Sequence, residues 1–123
     1  MSTVSLISVV DDDESVRESL PDLIREFGFA VEAFSSAEEF LASARLDQTN
    51  CLILDVTMPG MSGPDLQQEL ARRQKEIPIV FITAHREESV CRRLLDFGAV
   101  ACLFKPFSES ALLEAITLAL RVI

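Results

Sequence analysis

Acidic residues crowd the ends of two apolar segments of the chain. The aspartates 11–13 follow Val4–Val10 without a break, and Asp55 follows Cys51–Leu54. Two like charges about 4 Å apart repel by about 4 kcal/mol at an effective dielectric constant of about 20. Carboxylates that meet in one crevice must therefore take up protons or bind a hard cation, and Mg²⁺ prefers oxygen ligands of this kind.

Two further segments end in residues that could complete a site for phosphoryl transfer. Ile79–Thr83 ends in a hydroxyl group, and Ala101–Phe104 is followed directly by Lys105. A carboxylate can attack phosphorus and form an acyl phosphate. A magnesium ion, an ammonium group and a hydroxyl donor can neutralise the phosphoryl oxygens during that transfer. The residue types therefore indicate phosphoryl chemistry if the fold brings these segment ends together.

The apolar segments are short and mostly continuous rather than alternating. Continuous apolar runs are typical of parallel strands that are covered on both faces. There are five, namely Val4–Val10, Ala30–Phe34, Cys51–Leu54, Ile79–Thr83 and Ala101–Phe104. We expect each of them to be a strand.

Helical patterns separate the predicted strands. Ser36 and Ser108 are placed as N-caps, Pro64 as a first helical residue, and Gly28 and Gly98 as helix ends. Five repeats of strand and helix predict an α/β fold with a doubly wound, five-stranded parallel sheet. In such sheets the functional crevice lies beyond the carboxyl ends of the strands, where the acids would meet.

Length and charge narrow the classes of function. The chain has 123 residues and a net charge of −9, and residues 1–40 hold ten acids against two bases. This charge would repel phosphates, so we expect no direct nucleic-acid binding. No apolar run approaches the roughly 20 residues that span a bilayer, and the segment MSTVS does not resemble a signal peptide. We therefore expect a cytoplasmic protein with no membrane segment.

The cysteines form no recognisable metal motif. Cys51, Cys91 and Cys102 are widely spaced, and the chain has a single histidine, so a zinc site is not expected. We expect three reduced thiols, with Cys51 in the core.

Four segments together resemble the receiver domain of response regulators in two-component signalling. They are VVDDD (9–13), LILDVTMPGMSG (52–63), VFITA (80–84) and LFKPF (103–107). The pattern covers nearly the whole chain and is closest to the receivers of FixJ- and NarL-type regulators. The resemblance implies the CheY-like form of the flavodoxin-like fold. It also implies one receiver domain over 1–123, either alone or as the N-terminal part of a regulator with a helix-turn-helix output domain.

The resemblance assigns the acids to distinct roles. Asp55 would accept the phosphoryl group in a Mg²⁺-dependent reaction. Asp12 would bind the metal directly and Asp11 largely through water, with Asp55 and the backbone carbonyl of Thr57 as further ligands.

The remaining site residues would respond to phosphorylation. Thr83 would be the switch hydroxyl and would contact the phosphoryl group together with Ala84 and Lys105. Lys105 would pair with Asp55 at rest, and Pro106 would follow a cis peptide bond.

The function that this resemblance implies is a phosphorylation-activated switch rather than an enzyme. A sensor histidine kinase would donate the phosphoryl group, and the chain would catalyse the transfer and its later hydrolysis. The face formed by the fourth helix, fifth strand and fifth helix would then change. That face would control an output domain in transcription regulation, or pair with a second copy as a homodimer.

One position departs from the family pattern. The family usually has an aromatic residue three positions before the lysine, where this chain has Cys102. Either less side-chain motion accompanies signalling here, or Phe104 or another group takes part. Cys91 and Cys102 would both lie near the responding face, which leaves a redox switch open as the alternative to plain thiols.

Three other functions fit parts of the pattern. A Mg²⁺-dependent phosphatase could use Asp55, but such enzymes place a second acid where this chain has Thr57. A flavin carrier could share the fold, but the chain has no Trp or Tyr to stack on a flavin. An interaction module that is never phosphorylated is the third alternative.

Overall fold

The computed structural model describes residues 4–121, and strands and helices alternate along this part of the chain. The strands are β1 (Leu6–Val10), β2 (Ala30–Phe34), β3 (Cys51–Asp55), β4 (Ile79–Thr83) and β5 (Ala101–Phe104). The helices are α1 (Glu14–Glu26), α2 (Ala37–Leu41), α3 (Gly63–Arg72), α4 (Glu88–Asp96) and α5 (Glu109–Leu120). None of the helices within residues 4–121 combines the length and the apolarity that crossing a bilayer requires.

The five strands form one parallel sheet in the order β2-β1-β3-β4-β5. This confirms the predicted doubly wound α/β fold. From β1 the chain first moves outward to β2 and then returns to β3 on the other side. The strand order therefore reverses between β1 and β3, and the carboxyl ends of these two strands border the crevice that such a reversal creates.

Side chains of the central strands alternate between two apolar layers. Val10 and Leu54 point to the layer that α2, α3 and α4 cover, whereas Val9 and Ile53 point to the layer that α1 and α5 cover. All residues of β1, β3 and β4 are buried. This two-sided burial is the reason that the strands read as continuous apolar runs in the sequence.

Capping side chains fix the helix starts that face the crevice. The side chain of Asp13 accepts the backbone amide of Ser15 and begins α1 immediately after β1. Ser62 and Asp65 form a reciprocal capping box at the start of α3, which holds the end of the β3–α3 loop.

The structure contradicts the expectation of three reduced thiols. Cys91 on α4 and Cys102 on β5 form a disulfide with Cα atoms 5.8 Å apart, while Cys51 is a free, buried thiol. The pairing depends on α4 packing beside the neighbouring strand, and the spacing of eleven residues in sequence carries no signal of it.

Gly63 marks the closest approach between α3 and the sheet. Its amide donates to the carbonyl of Val56, and an added Cβ would lie 3.1 Å from the Cα of Val56 and 3.0 Å from the ring of Phe81. The same Cβ would also overlap the backbone carbonyl oxygen of Asp55.

We therefore expect Gly63→Ala to lower the free energy of unfolding by about 3 kcal/mol, because backbone atoms rather than flexible side chains must move. The control is Gly28→Ala, where an added Cβ meets nothing within 4 Å and only the φ of +98° is unfavourable. That change should cost about 1 kcal/mol. Urea denaturation measures both, and equal losses would contradict the close packing of Gly63.

Candidate functional site

Three carboxylates meet at the carboxyl edge of the sheet. Asp11 follows β1, Asp12 is the next residue, and Asp55 ends β3. One carboxylate oxygen from each lies within 4.8 Å of the others. Asp11 and Asp55 are buried, with exposures of 0% and 6%, while Asp12 is exposed. The predicted meeting of the acids is therefore present, with two of the three charges withdrawn from water.

Lys105 supplies the positive charge of this cluster. Its Nζ lies 2.9 Å from Oδ2 of Asp11 and 3.8 Å from Oδ1 of Asp55. We expected Lys105 to pair with Asp55 at rest. In the structure it lies nearer to Asp11 and donates its hydrogen bond to that residue. Lys105 follows β5 directly, its amide donates to the carbonyl of Thr83, and its peptide bond to Pro106 is cis.

Asp11 is held by hydrogen bonds that leave it little freedom. Its Oδ1 accepts the amide of Asp13 at 2.9 Å, and its backbone carbonyl accepts Nη1 of Arg17 at 3.0 Å. Arg17 was not among the residues predicted for the site. It lies on α1 outside every recognisable motif, and only the fold shows that its side chain reaches back to the end of β1.

The electrostatics of the cluster favour a neutral Asp55 when no cation is bound. Burial, together with the nearby carboxylate of Asp11, raises the pKa of Asp55 to about 7, although Lys105 acts in the opposite direction. Burial alone would lower the pKa of Lys105, but the hydrogen bond and charge of Asp11 raise it above its usual value. The lysine therefore remains charged beside Asp11, and Asp55 is the carboxyl of the cluster that takes up a proton most readily.

The arrangement of donors fits a hard divalent cation. All three side chains that converge here offer carboxylate oxygens, and one lysine offsets only one of their charges. A divalent cation would neutralise the remaining two and would remove the reason for Asp55 to hold a proton. The cluster thus has the composition of a site for a hard divalent cation.

Thr83 ends β4 beside this cluster, and its side chain contacts the backbone of the loop that follows β4. It is 4% exposed, and its Oγ1 accepts the amide of His85 at 3.1 Å. Ala84 follows it and is exposed. Thr57 is exposed on the loop after β3, two residues beyond Asp55.

A cavity of about 260 Å³ connects these loops with α4. It is lined by Val56, Thr57, Thr83, His85, Glu87, Val90 and Cys91. A rearrangement of Thr83 would therefore change a space that also borders the helix carrying the disulfide.

The loop after β3 has two supports that were not predicted. The amide of Met61 donates to the carboxylate of Glu38 on α2 at 3.2 Å. The capping box of Ser62 and Asp65 fixes the other end of the loop. The spacing of Ser62 and Asp65 is typical of a capping box, so this support could have been predicted from the sequence. The contact between Glu38 and Met61 joins residues 23 positions apart, and no sequence pattern indicates it.

Comparison with known proteins decides the family. The model of the response regulator receiver domain matches residues 7–117 of the chain. The chain belongs to this family. The predicted resemblance to two-component receivers is thereby confirmed, and the aspartate cluster lies in a receiver domain.

Several known proteins are similar to this receiver along most of its length. Nodulation protein W of Bradyrhizobium diazoefficiens is 48% identical over 118 residues, which is 96% of this chain and 52% of that protein. The response regulator protein TodT of Pseudomonas putida is 44% identical over 118 residues, which is 96% of this chain and 52% of that protein. The receiver thus spans about half the length of these curated relatives.

A solved structure supports the same assignment. FixJ-N superimposes with a TM-score of 0.90 at 35% sequence identity, covering 99% of this chain and 98% of that one. The expected likeness to FixJ-type receivers is therefore confirmed.

The raised pKa of Asp55 predicts an unusual pH dependence of stability in the absence of divalent cations. Because this carboxyl binds its proton more tightly in the folded chain than in the unfolded one, the free energy of unfolding falls as the pH rises from about 4 to about 7. We expect Asp55→Asn in EDTA to be more stable than the parent at pH 8, by up to about 4 kcal/mol at about 1.4 kcal/mol per pKa unit. The gain should shrink to less than half at pH 5.

Urea denaturation at the two pH values measures this difference. The control is Asp96→Asn, which removes an exposed acid on α4 and should leave the pH dependence of the parent unchanged. A variant at Asp55 that is less stable than the parent at pH 8 would show that its charge is not a burden to the fold.

Proposed function

We propose that this receiver is a phosphorylation-activated switch in which Asp55 accepts the phosphoryl group. The observation that carries the proposal is the meeting of Asp11, Asp12 and Asp55 with Lys105 at one edge of the sheet. These side chains come from the ends of three strands, since Asp11 and Asp12 follow β1, Asp55 ends β3 and Lys105 follows β5. The cluster combines a nucleophile, metal ligands and a counter-charge in one crevice.

The transfer begins with an oxygen of Asp55 attacking the phosphorus of a phosphohistidine on a sensor histidine kinase. The new O–P bond forms as the P–N bond breaks, and the histidine leaves with the electron pair. Asp55 must be ionised to attack, so loss of its proton is part of the reaction near neutral pH. Water later attacks the acyl phosphate and releases inorganic phosphate.

Asp11, Asp12, Asp55 and the backbone carbonyl of Thr57 would hold Mg²⁺. The bound ion would offset the negative charge that gathers on the phosphoryl oxygens during transfer. Asp11 is positioned for this by the amide of Asp13 and the guanidinium of Arg17. A metal ligand fixed in this way loses little freedom when the ion binds.

Lys105 and Thr83 then respond to the phosphoryl group. The ammonium group, 3.8 Å from Asp55 before the reaction, would bind a phosphoryl oxygen. The hydroxyl of Thr83 would leave the amide of His85 and donate to another oxygen, with the backbone of Ala84 beside it. This movement would reshape the cavity beside α4 and shift the population of states at the face formed by α4, β5 and α5.

That face is suited to control a partner. Large apolar side chains are exposed at Leu95 on α4 and at Leu113 and Leu118 on α5. Their exposure favours pairing with a second copy, or contact with an output domain, once phosphorylation has changed α4. The net charge of −9 argues against direct binding of nucleic acid by the receiver itself.

We propose that the chain acts in the cytoplasm as one receiver domain over 1–123, within a longer transcription regulator. Its relatives of about twice the length include proteins named transcriptional regulatory protein FixJ. The receiver would be consumed as phosphoacceptor and regenerated by hydrolysis, which makes it a switch and not a conventional enzyme.

Acetyl phosphate tests the acceptor directly. We expect the intact mass of the folded chain to increase by one phosphoryl group when acetyl phosphate and Mg²⁺ are both present, and not when EDTA replaces the metal. The variant Asp55→Asn should show no increase, because it lacks the nucleophile.

The matched control is Asp13→Asn, which changes the neighbouring acid that caps α1. Asparagine caps helices as well as aspartate, so this variant should be phosphorylated like the parent. Folded protein that gains no phosphoryl group under any of these conditions would rule out the acceptor role of Asp55.

A further inference from the structure

The disulfide between Cys91 and Cys102 joins α4 covalently to β5. This matters because α4 has few other attachments. Within its nine residues, Glu88–Asp96, only the side chains of Cys91 and Leu94 are buried. The N-cap residue, Glu87, makes no side-chain hydrogen bond to the first turn of α4. One of the two buried side chains of α4 is therefore held by a bond that a reductant can break; the partly buried Val90 and a hydrogen bond from Gln67 to the carbonyl of Leu94 are further contacts.

The bond also lies next to the part of the site that must move. Cys91 and Thr83 line the same cavity of about 260 Å³. Cys102 pairs in register with Phe81 on β4, two residues before Thr83. A covalent tie at this point restricts how far α4 can move from β5 when the loop after Thr83 rearranges.

The two cysteines of the disulfide differ in burial, and both differ from the third cysteine. Cys91 is buried, whereas Cys102 is only partly buried, so we expect a small thiol to attack at Cys102. Cys51 is fully buried in the opposite layer of the core, and burial raises the pKa of its thiol to about 12. Thiolates are the reactive form, so redox chemistry is confined to the pair.

We propose that Cys91 and Cys102 form a reversible dithiol–disulfide site that gates the response of α4. The disulfide holds α4 against β5, and reduction releases it. The gating half of this proposal rests on the proposed function, because it concerns the response to phosphorylation at Asp55. Disulfides are rare in reducing compartments, and those that do form there are usually redox-sensing or catalytic.

The reaction is thiol–disulfide exchange with a small thiol. A thiolate attacks Sγ of Cys102, the S–S bond breaks, and the sulfur of Cys91 leaves as a thiolate and takes up a proton. A second thiol attacks the mixed disulfide and releases Cys102. Overall, the pair gains two electrons and two protons, and two small thiols become one disulfide; oxidised glutathione drives the reverse reaction.

The first experiment needs no phosphorylation. The chain is equilibrated with reduced or oxidised glutathione, trapped with a thiol-alkylating reagent, and weighed intact. Hydrogen exchange is then followed in both states. We expect Cys91 and Cys102 to be alkylated only after reduction, and the amides of α4 to exchange about tenfold faster in the reduced chain. The amides of α1 should be unaffected.

Matched variants assign the effect to the pair. Cys91→Ser and Cys102→Ser should each give the fast exchange of α4 under both conditions, whereas Cys51→Ala should behave like the parent. A pair that stays reduced in oxidised glutathione, or a disulfide that leaves the exchange of α4 unchanged, would overturn the proposed site.

The second experiment adds acetyl phosphate and Mg²⁺ to both redox states. Phosphoryl uptake at Asp55 is measured by mass, and the response of α4 by hydrogen exchange. We expect uptake in both states but a change in α4 only in the reduced chain. An equal change in both states would overturn the gating. Absence of uptake in both states would overturn the proposed function and the gating with it, while the disulfide site would still be judged by the exchange without phosphate.

Discussion

The repulsion among three carboxylates at one edge of the sheet is the constraint on which the rest of the site depends. Charges about 4 Å apart repel by about 4 kcal/mol even at an effective dielectric constant of about 20. Lys105 offsets one charge and donates its hydrogen bond to Asp11. Burial and the charge of Asp11 then raise the pKa of Asp55 to about 7. The fold thus favours the protonated form of Asp55 until a divalent cation supplies the missing positive charge.

The parallel sheet makes this arrangement possible because it gathers strand ends that are distant in sequence. That gathering could be predicted, since continuous apolar runs and strand–helix alternation suffice to place Asp11, Asp55, Thr83 and Lys105 at one edge. The bounds of β2, β4 and β5 agree with the sequence pattern. β1 begins at Leu6 rather than Val4, because Val4 is exposed and lies outside the ladder.

Features that depend on distances between elements could not be predicted. Nζ of Lys105 lies 2.9 Å from Asp11 and 3.8 Å from Asp55. Residue types alone do not show which of the two carboxylates is nearer. The reach of Arg17 to the end of β1 and the pairing of Cys91 with Cys102 are of the same kind. Each requires the packing of a helix against a strand to be known first.

Near neutral pH and without a divalent cation, Asp55 is partly protonated, and binding of the cation should displace that proton. Calorimetric titration of Mg²⁺ at pH 7, in buffers of different ionisation enthalpy, measures that exchange directly. A pKa of about 7 predicts the release of about half a proton per bound ion, and none from Asp55→Asn. Binding of Mg²⁺ to the parent without proton release would show that Asp55 is already fully ionised at pH 7.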